Sequence, residues 1–269
     1  MPQIIVEDLV KTFRIAERQP GMWGAVRGLA HRRYRTANAL DGVSFTLEPG
    51  ELVGYIGPNG AGKSTTLRML VGLSRPDSGT ATVAGIPFSR LVNPGRVVGV
   101  MLDASAQHGG RTGRETLIVS AETMAVDRRR VEEMLDLVGL DSAAAARRVG
   151  KSSLGMRQRL GLAQAMLGDP DVLVLDEPAN GLDPDGIRWM RDLLRRFADG
   201  GGTVLLSSHL LGEISAVADR LVVITGGSVR ATGEMDVLLA GDELEHYYFG
   251  LTGATTQTQP STSISGASR

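Results

Sequence analysis

The chain has 269 residues, is 42% hydrophobic and carries a formal net charge of −1. That length and apolar share allow a sizeable core, while the near-neutral charge gives no global pull toward nucleic acid or anionic lipid, so no nucleic-acid partner is expected. No cysteine is present, which excludes disulfides, thiolate catalysis and cysteine-based metal sites.

In chain order, residues 4–6 and 43–47 read as early strands. Residues 1–12 interrupt their short apolar runs with Glu7 and Asp8 and do not read as a signal peptide. Between the two strands, residues 16–37 hold Arg18, Arg27, Arg32, Arg33 and Arg35 against Glu17, with Trp23, Val26, Ala30 and Tyr34 at near-helical spacing. This segment reads either as a membrane-surface or partner contact or as a solvated basic hairpin helix packed on its own domain. Residues 52–56 form a buried strand that runs into glycine-rich sequence, and 63–71 read as a helix ended near Gly72. Pro76-Asp77-Ser78-Gly79 is a turn signal, followed by a short strand at 80–83.

From about Ala104 to Gly168 strand signals vanish. Helical stretches at 114–125, 128–138 and 154–167 suggest an all-helical subdomain inserted in an α/β domain. Strand and helix then alternate: 171–175, 186–197, 203–206, 210–218 and 221–224. That alternation predicts a mostly parallel sheet with helices on its faces. Gly226-Gly227 is a hairpin-type turn. Residues 253–269 are rich in Ser, Thr, Gln and Gly without periodicity and read as a disordered tail after one domain spanning 1–252. No apolar run approaches the roughly 20 residues of a membrane span, so the chain is expected to be cytosolic, with any membrane role exerted through a partner.

Gly57-Pro58-Asn59-Gly60-Ala61-Gly62-Lys63-Ser64, followed by Thr65, fits the G-x-x-x-x-G-K-[ST] phosphate loop. Glycines let backbone N–H groups turn inward around phosphate oxygens, and the following helix points its positive end at the same anion. Lys63 is placed to reach the β/γ-phosphates, and the Ser64 hydroxyl to bind Mg²⁺. A second signal is a buried strand, 172–175, ending in Asp176 and Glu177. Ligands bind at the carboxyl ends of strands in open α/β sheets. Asp176 is therefore expected in the Mg²⁺ shell and Glu177 as the general base that polarises the attacking water.

These residues resemble the ABC ATPase family over nearly the whole chain. Ser152-Ser153-Leu154-Gly155-Met156-Arg157-Gln158-Arg159 looks like the family signature, and Ser153 precedes Asp176 by 176 − 153 = 23 positions. Ser153 can cap a helix whose N-terminus faces the γ-phosphate of ATP held by another subunit. Leu154 and Met156 depart from the usual glycine and glutamine, so Ser153 and Gly155 are left to make the backbone contact. Gly181-Leu182-Asp183 resembles the D-loop of the dimer interface, and His209, 32 residues after Glu177, resembles the switch histidine. Phe13 resembles the adenine-stacking aromatic, with a core role in the N-terminal sheet as the alternative. Asp103 stands where the family usually places the Q-loop glutamine, and Gln107 follows four positions late. Asp103 serves the Mg²⁺ shell under one reading and caps the first helix of the helical subdomain under the other.

The resemblance implies a P-loop NTPase fold: a RecA-like, mostly parallel sheet, an N-terminal antiparallel β subdomain and a helical insertion at about 104–168. It implies ATP and Mg²⁺ as ligands, ATP hydrolysis, a second ATPase subunit and integral membrane transporter subunits. The location it implies is peripheral, on the cytoplasmic face of the membrane. Residues 244–253, Asp103-Ala104 and the 153–159 run are similar to the drug, antibiotic and polysaccharide exporter branch. An importer subunit and a soluble ABC switch are the alternatives.

Overall fold

The computed structural model describes residues 3–16 and 34–252. Most of the basic segment 16–37 and all of the tail 253–269 lie outside them.

Among the described residues, nine strands form two sheets. β1 (Ile4–Ala16), β2 (Tyr34–Leu47) and β4 (Ser78–Val83) make an antiparallel sheet in the order β2-β1-β4. β3 (Leu52–Ile56), β5 (Val98–Met101), β6 (Val172–Asp176), β7 (Thr203–Ser208), β8 (Arg220–Thr225) and β9 (Ser228–Glu234) make the second, in the order β5-β6-β7-β3-β8-β9. Every pairing in it is parallel except β8 with β9, which join through the expected turn at Gly226-Gly227.

β3 and β7 are buried along their whole length. Buried on both faces, such strands read as continuous apolar runs. Successive residues of each strand enter opposite cores. Leu52, Ile56, Leu173, Leu175, Val204 and Leu206 join the core under the helices that follow. Val53, Tyr55, Val172, Val174 and Leu205 pack with Leu67 and Leu70 of α1 (Lys63–Leu70) and with the three-stranded sheet.

The helices are α1, α2 (Gly113–Thr123), α3 (Arg129–Leu137), α4 (Ser142–Ala145), α5 (Leu154–Met166), α6 (Pro184–Asp199), α7 (Leu211–Ser215), α8 (Met235–Leu239) and α9 (Leu244–Thr252). α2 to α5 occupy the stretch in which strand signals vanish, and no named strand interrupts them. α2 begins with a reciprocal cap: Thr112 Oγ1 accepts from the Glu115 N–H, and Glu115 accepts from the Thr112 N–H. The first α-helix of this insertion thus takes its cap from Thr112, while Asp103 directly precedes the short 3₁₀ turn Ala104–Ala106.

Two strands differ from expectation. β1 and β2 run to 13 and 14 residues instead of three and five. Their pairing carries irregularities between Val6 and Leu9 and again up to Thr12, where Glu7-Asp8 and Lys11-Thr12 break the alternation that marks a strand. β5 was not expected as a separate strand; it has only four residues, one of them Gly99.

Candidate functional site

The apolar strand β3 ends at Ile56, and residues 57–62 turn sharply into α1. Gly62 sits at φ +109°, in the left-handed region, and a Cβ there would lie 2.5 Å from Leu40 Cδ2 and 2.7 Å from the Ala39 carbonyl oxygen. Lys63 folds back across the turn, its Nζ donating to the carbonyls of Gly57 at 2.5 Å and Pro58 at 3.4 Å. Behind it, the Thr66 hydroxyl meets Tyr55 Oη at 2.9 Å and donates to the Gly62 carbonyl at 3.1 Å. The result is a cavity of about 270 Å³ lined by Ala39, residues 58–65 and Glu177. The first N–H groups of α1 have no partners within the helix, so this concavity suits an anion.

The acidic pair closes the other side. Burial pushes the Lys63 ammonium pKa down, and the nearby charges of Glu177 and Asp176 oppose that shift, so all three groups share one electrostatic site. Asp176 is held by the Ser207 hydroxyl, which donates to its Oδ1. The Glu177 N–H donates to the Ser207 carbonyl at 3.0 Å. Glu177 adopts φ +51°, a strained conformation for a residue with a side chain, of the kind that concentrates at functional positions. Its Oε2 lies 2.5 Å from His209 Nδ1 and accepts from the His209 N–H at 3.3 Å. A carboxylate held by an imidazole at the rim of an anion cavity is arranged to take a proton from water there.

Ser153 caps α5, its Oγ accepting from the Met156 N–H at 3.2 Å. The turn of Ser153, Leu154, Gly155 and Met156 packs on residues 181–182: a Cβ on Gly181 would lie 2.3 Å from Leu154 Cδ2, and one on Gly155 would lie 3.0 Å from the Gly181 carbonyl oxygen. Asp183 caps α6, accepting from the Gly186 N–H at 2.8 Å. Phe13 is 42% exposed on β1, with Lys11 Nζ 5.7 Å from its ring centre, so it is not a core residue. Asp103 lines a different cavity, of about 610 Å³, together with Gln107, Arg68 and Arg111. Its carbonyl accepts from the Ala106 N–H.

Ser207 and Glu213 escaped the sequence reading. Ser207 sits near the end of β7, directly after the apolar run 204–206, where a serine alone signals nothing. Glu213 lies in α7 and looks there like any helix acid.

Among known proteins, the family described as ABC transporter matches residues 40–180. A Nod factor export ATP-binding protein of Burkholderia pseudomallei is 41% identical over 216 residues, covering 78% of this chain and 71% of that one. The bacitracin transport ATP-binding protein of Bacillus licheniformis is 37% identical over 201 residues, covering 74% and 65%. A solved ATP-binding subunit of an ABC transporter superposes with a TM-score of 0.76 at 26% identity, covering 93% of this chain and 99% of that one.

Proposed function

The chain belongs to the ABC transporter family, and from that membership we propose that it is the subunit that binds and hydrolyses ATP to power an exporter. Its enzymatic activity is ATP hydrolysis of the ABC type, and its fold is that of the family's ATPase cassettes. The export direction rests on the two relatives, both named for export or transport of particular cargoes.

The observation that carries the catalytic assignment is Glu177, fixed by His209 beside the anion cavity. In this reading the triphosphate lies over residues 57–62 and the first turn of α1, with Lys63 opposite the β/γ-phosphates. Glu177 takes the proton of the attacking water, and His209 holds the Glu177 carboxylate at the γ-phosphate. Phe13, exposed on β1 and paired with Ala37, two residues before the Ala39 that lines the cavity, stacks on adenine. Ser64 and Asp176 supply hard oxygen donors. The described residues form no cluster of three or more acidic or histidine side chains that could cage a metal. A two-donor set suits Mg²⁺, which keeps waters and phosphate oxygens in its shell. When bound, Mg²⁺ supplies charge neutralisation on the transferring phosphoryl group. Asp103, in its separate cavity, is left out of this set.

The capped turn at Ser153–Met156 and the loop ending at Asp183 face a second ATPase subunit, so that two chains sandwich two ATP molecules. No helix among the described residues is long and apolar enough to cross a membrane. The cargo path therefore belongs to integral membrane subunits, which hold this chain at the cytoplasmic face. Residues 1–252 act as one ATPase domain with a helical insertion at 104–168.

The test is Glu177→Gln, which keeps shape and removes the base. Hydrolysis should fall by about 10²- to 10⁴-fold, with Mg-ATP retained and a dimer accumulating by light scattering. Hydrolysis at the wild-type rate would overturn the assignment.

A further inference from the structure

Glu213 is 8% exposed, yet only one of its carboxylate oxygens has a partner. Oε2 accepts from Ser208 Oγ at 3.3 Å, while Oε1 is buried with no partner among the described residues. A buried, half-satisfied carboxylate destabilises a fold. Burial pushes its pKa above the ordinary carboxylate range, the hydrogen bond from Ser208 opposes that shift, and the charge of Glu177 adds to it. Such exceptions to good design concentrate where function needs them.

What Glu213 holds is the turn that carries His209. Ser208 Oγ donates to Glu213 and accepts from the Leu210 N–H at 3.0 Å. These two bonds close the backbone on both sides of His209, whose own N–H and ring both reach Glu177 Oε2. We infer that Glu213 is a positioning residue: by gripping Ser208 it fixes the 208–210 turn and so sets where His209 meets Glu177. The inference rests on the roles given above to Glu177 and His209. It adds a residue that touches neither nucleotide nor water and acts through two others.

The claim separates cleanly from a purely structural role, because the bond and the buried charge have opposite effects on stability. Glu213→Leu removes both, so its melting temperature should hold or rise. Its kcat for ATP should fall about ten- to hundredfold, the scale of a small misplacement of a catalytic group, with KM within about twofold of wild type. Glu213→Gln keeps an oxygen acceptor for Ser208 and loses the charge, so kcat should stay within about threefold while the melting temperature rises. Ser208→Ala, which spares the carboxylate, should reproduce the kcat loss. The Ser208→Ala/Glu213→Leu double variant should lose no more than the worse single one, because both break the same bond.

Full kcat in Glu213→Leu would overturn the inference. So would additive losses in the double variant, or a kcat loss that tracks a falling melting temperature across the series. Failure of the base assignment reads out separately, as hydrolysis persisting in Glu177→Gln.

Discussion

Replacing Gly62 by alanine tests how the phosphate loop is built. The residue sits at φ +109°, where an L side chain is strained by about 1–2 kcal/mol. Its new Cβ would also lie 2.5 Å from Leu40 Cδ2 and 2.7 Å from the Ala39 carbonyl oxygen. Leu40 is fully buried and Ala39 is backbone of β2, so neither yields freely, and such overpacking costs about 1–3 kcal/mol. The sum is roughly 2–5 kcal/mol. At about 2–4 °C per kcal/mol for a chain of this size, the melting midpoint should fall by roughly 5–20 °C. Gly60→Ala is the control: φ is +80° but no atom lies within 4 Å of the added Cβ, so only the backbone term of about 1–2 kcal/mol applies. Calorimetry of both variants without nucleotide decides the matter. Equal shifts in the two would refute the steric argument and leave φ alone as the reason for glycine; a wild-type midpoint for Gly62→Ala would refute both.

Phe13→Ala should raise the KM for ATP by about tenfold, the scale of one base stacked on an aromatic ring. Its melting temperature should barely move, because the ring is already 42% exposed; unchanged KM would remove Phe13 from the site. Asp77 accepts from Lys11 Nζ at 2.9 Å and from the Thr12 N–H at 2.7 Å, and these bonds, led by Lys11, hold its carboxyl pKa below the ordinary value. A depressed carboxylate stabilises the fold fully above its unfolded pKa, and that contribution is lost as pH falls through the folded one. Asp77→Asn should therefore flatten the acid limb of the melting curve below about pH 4. Superimposable pH–melting profiles would refute it.

Where the sequence was legible, one local signal sufficed. The phosphate loop and the strand ending in Asp176-Glu177 announce themselves because glycine spacing and an apolar run are chemical necessities of their sites. The cap at Ser153 was legible for the same reason. The length of β1 was not, since register shifts at Val6 to Thr12 erase the period-two pattern while the pairing continues. Ser207 and Glu213 were out of reach for a different reason. Ser207 acts by contact across the fold, on Asp176 some 31 residues away, and Glu213 acts through a single side-chain bond to Ser208, five residues before it. Neither contact leaves a trace in local composition. Phe13 could be read two ways from sequence, and only its exposure decides against the core.

Leu154 shows how a departure from a motif becomes intelligible once packing is known. By sequence it is a flaw, a bulky residue where the family resemblance calls for glycine. In the fold its side chain fills the space that a Cβ on Gly181 would need, to within 2.3 Å, and Gly181 sits at φ +79°. A glycine at 181 is thus required twice, by backbone conformation and by the leucine against it. Gly155 abuts the Gly181 carbonyl on the same side, at 3.0 Å for an added Cβ, so the capped turn before α5 and the turn before α6 are keyed together within one chain. The second of these turns is continuous with the backbone of Glu177: the Asn180 N–H donates to the Glu177 carbonyl at 3.2 Å, and the Leu182 N–H to that of Ala179 at 3.0 Å. Close-packed contacts transmit displacement because they leave no slack. The leucine that weakens the motif match is thus, with Gly155, the residue through which the 153–156 turn packs on the turn that leads back to Glu177.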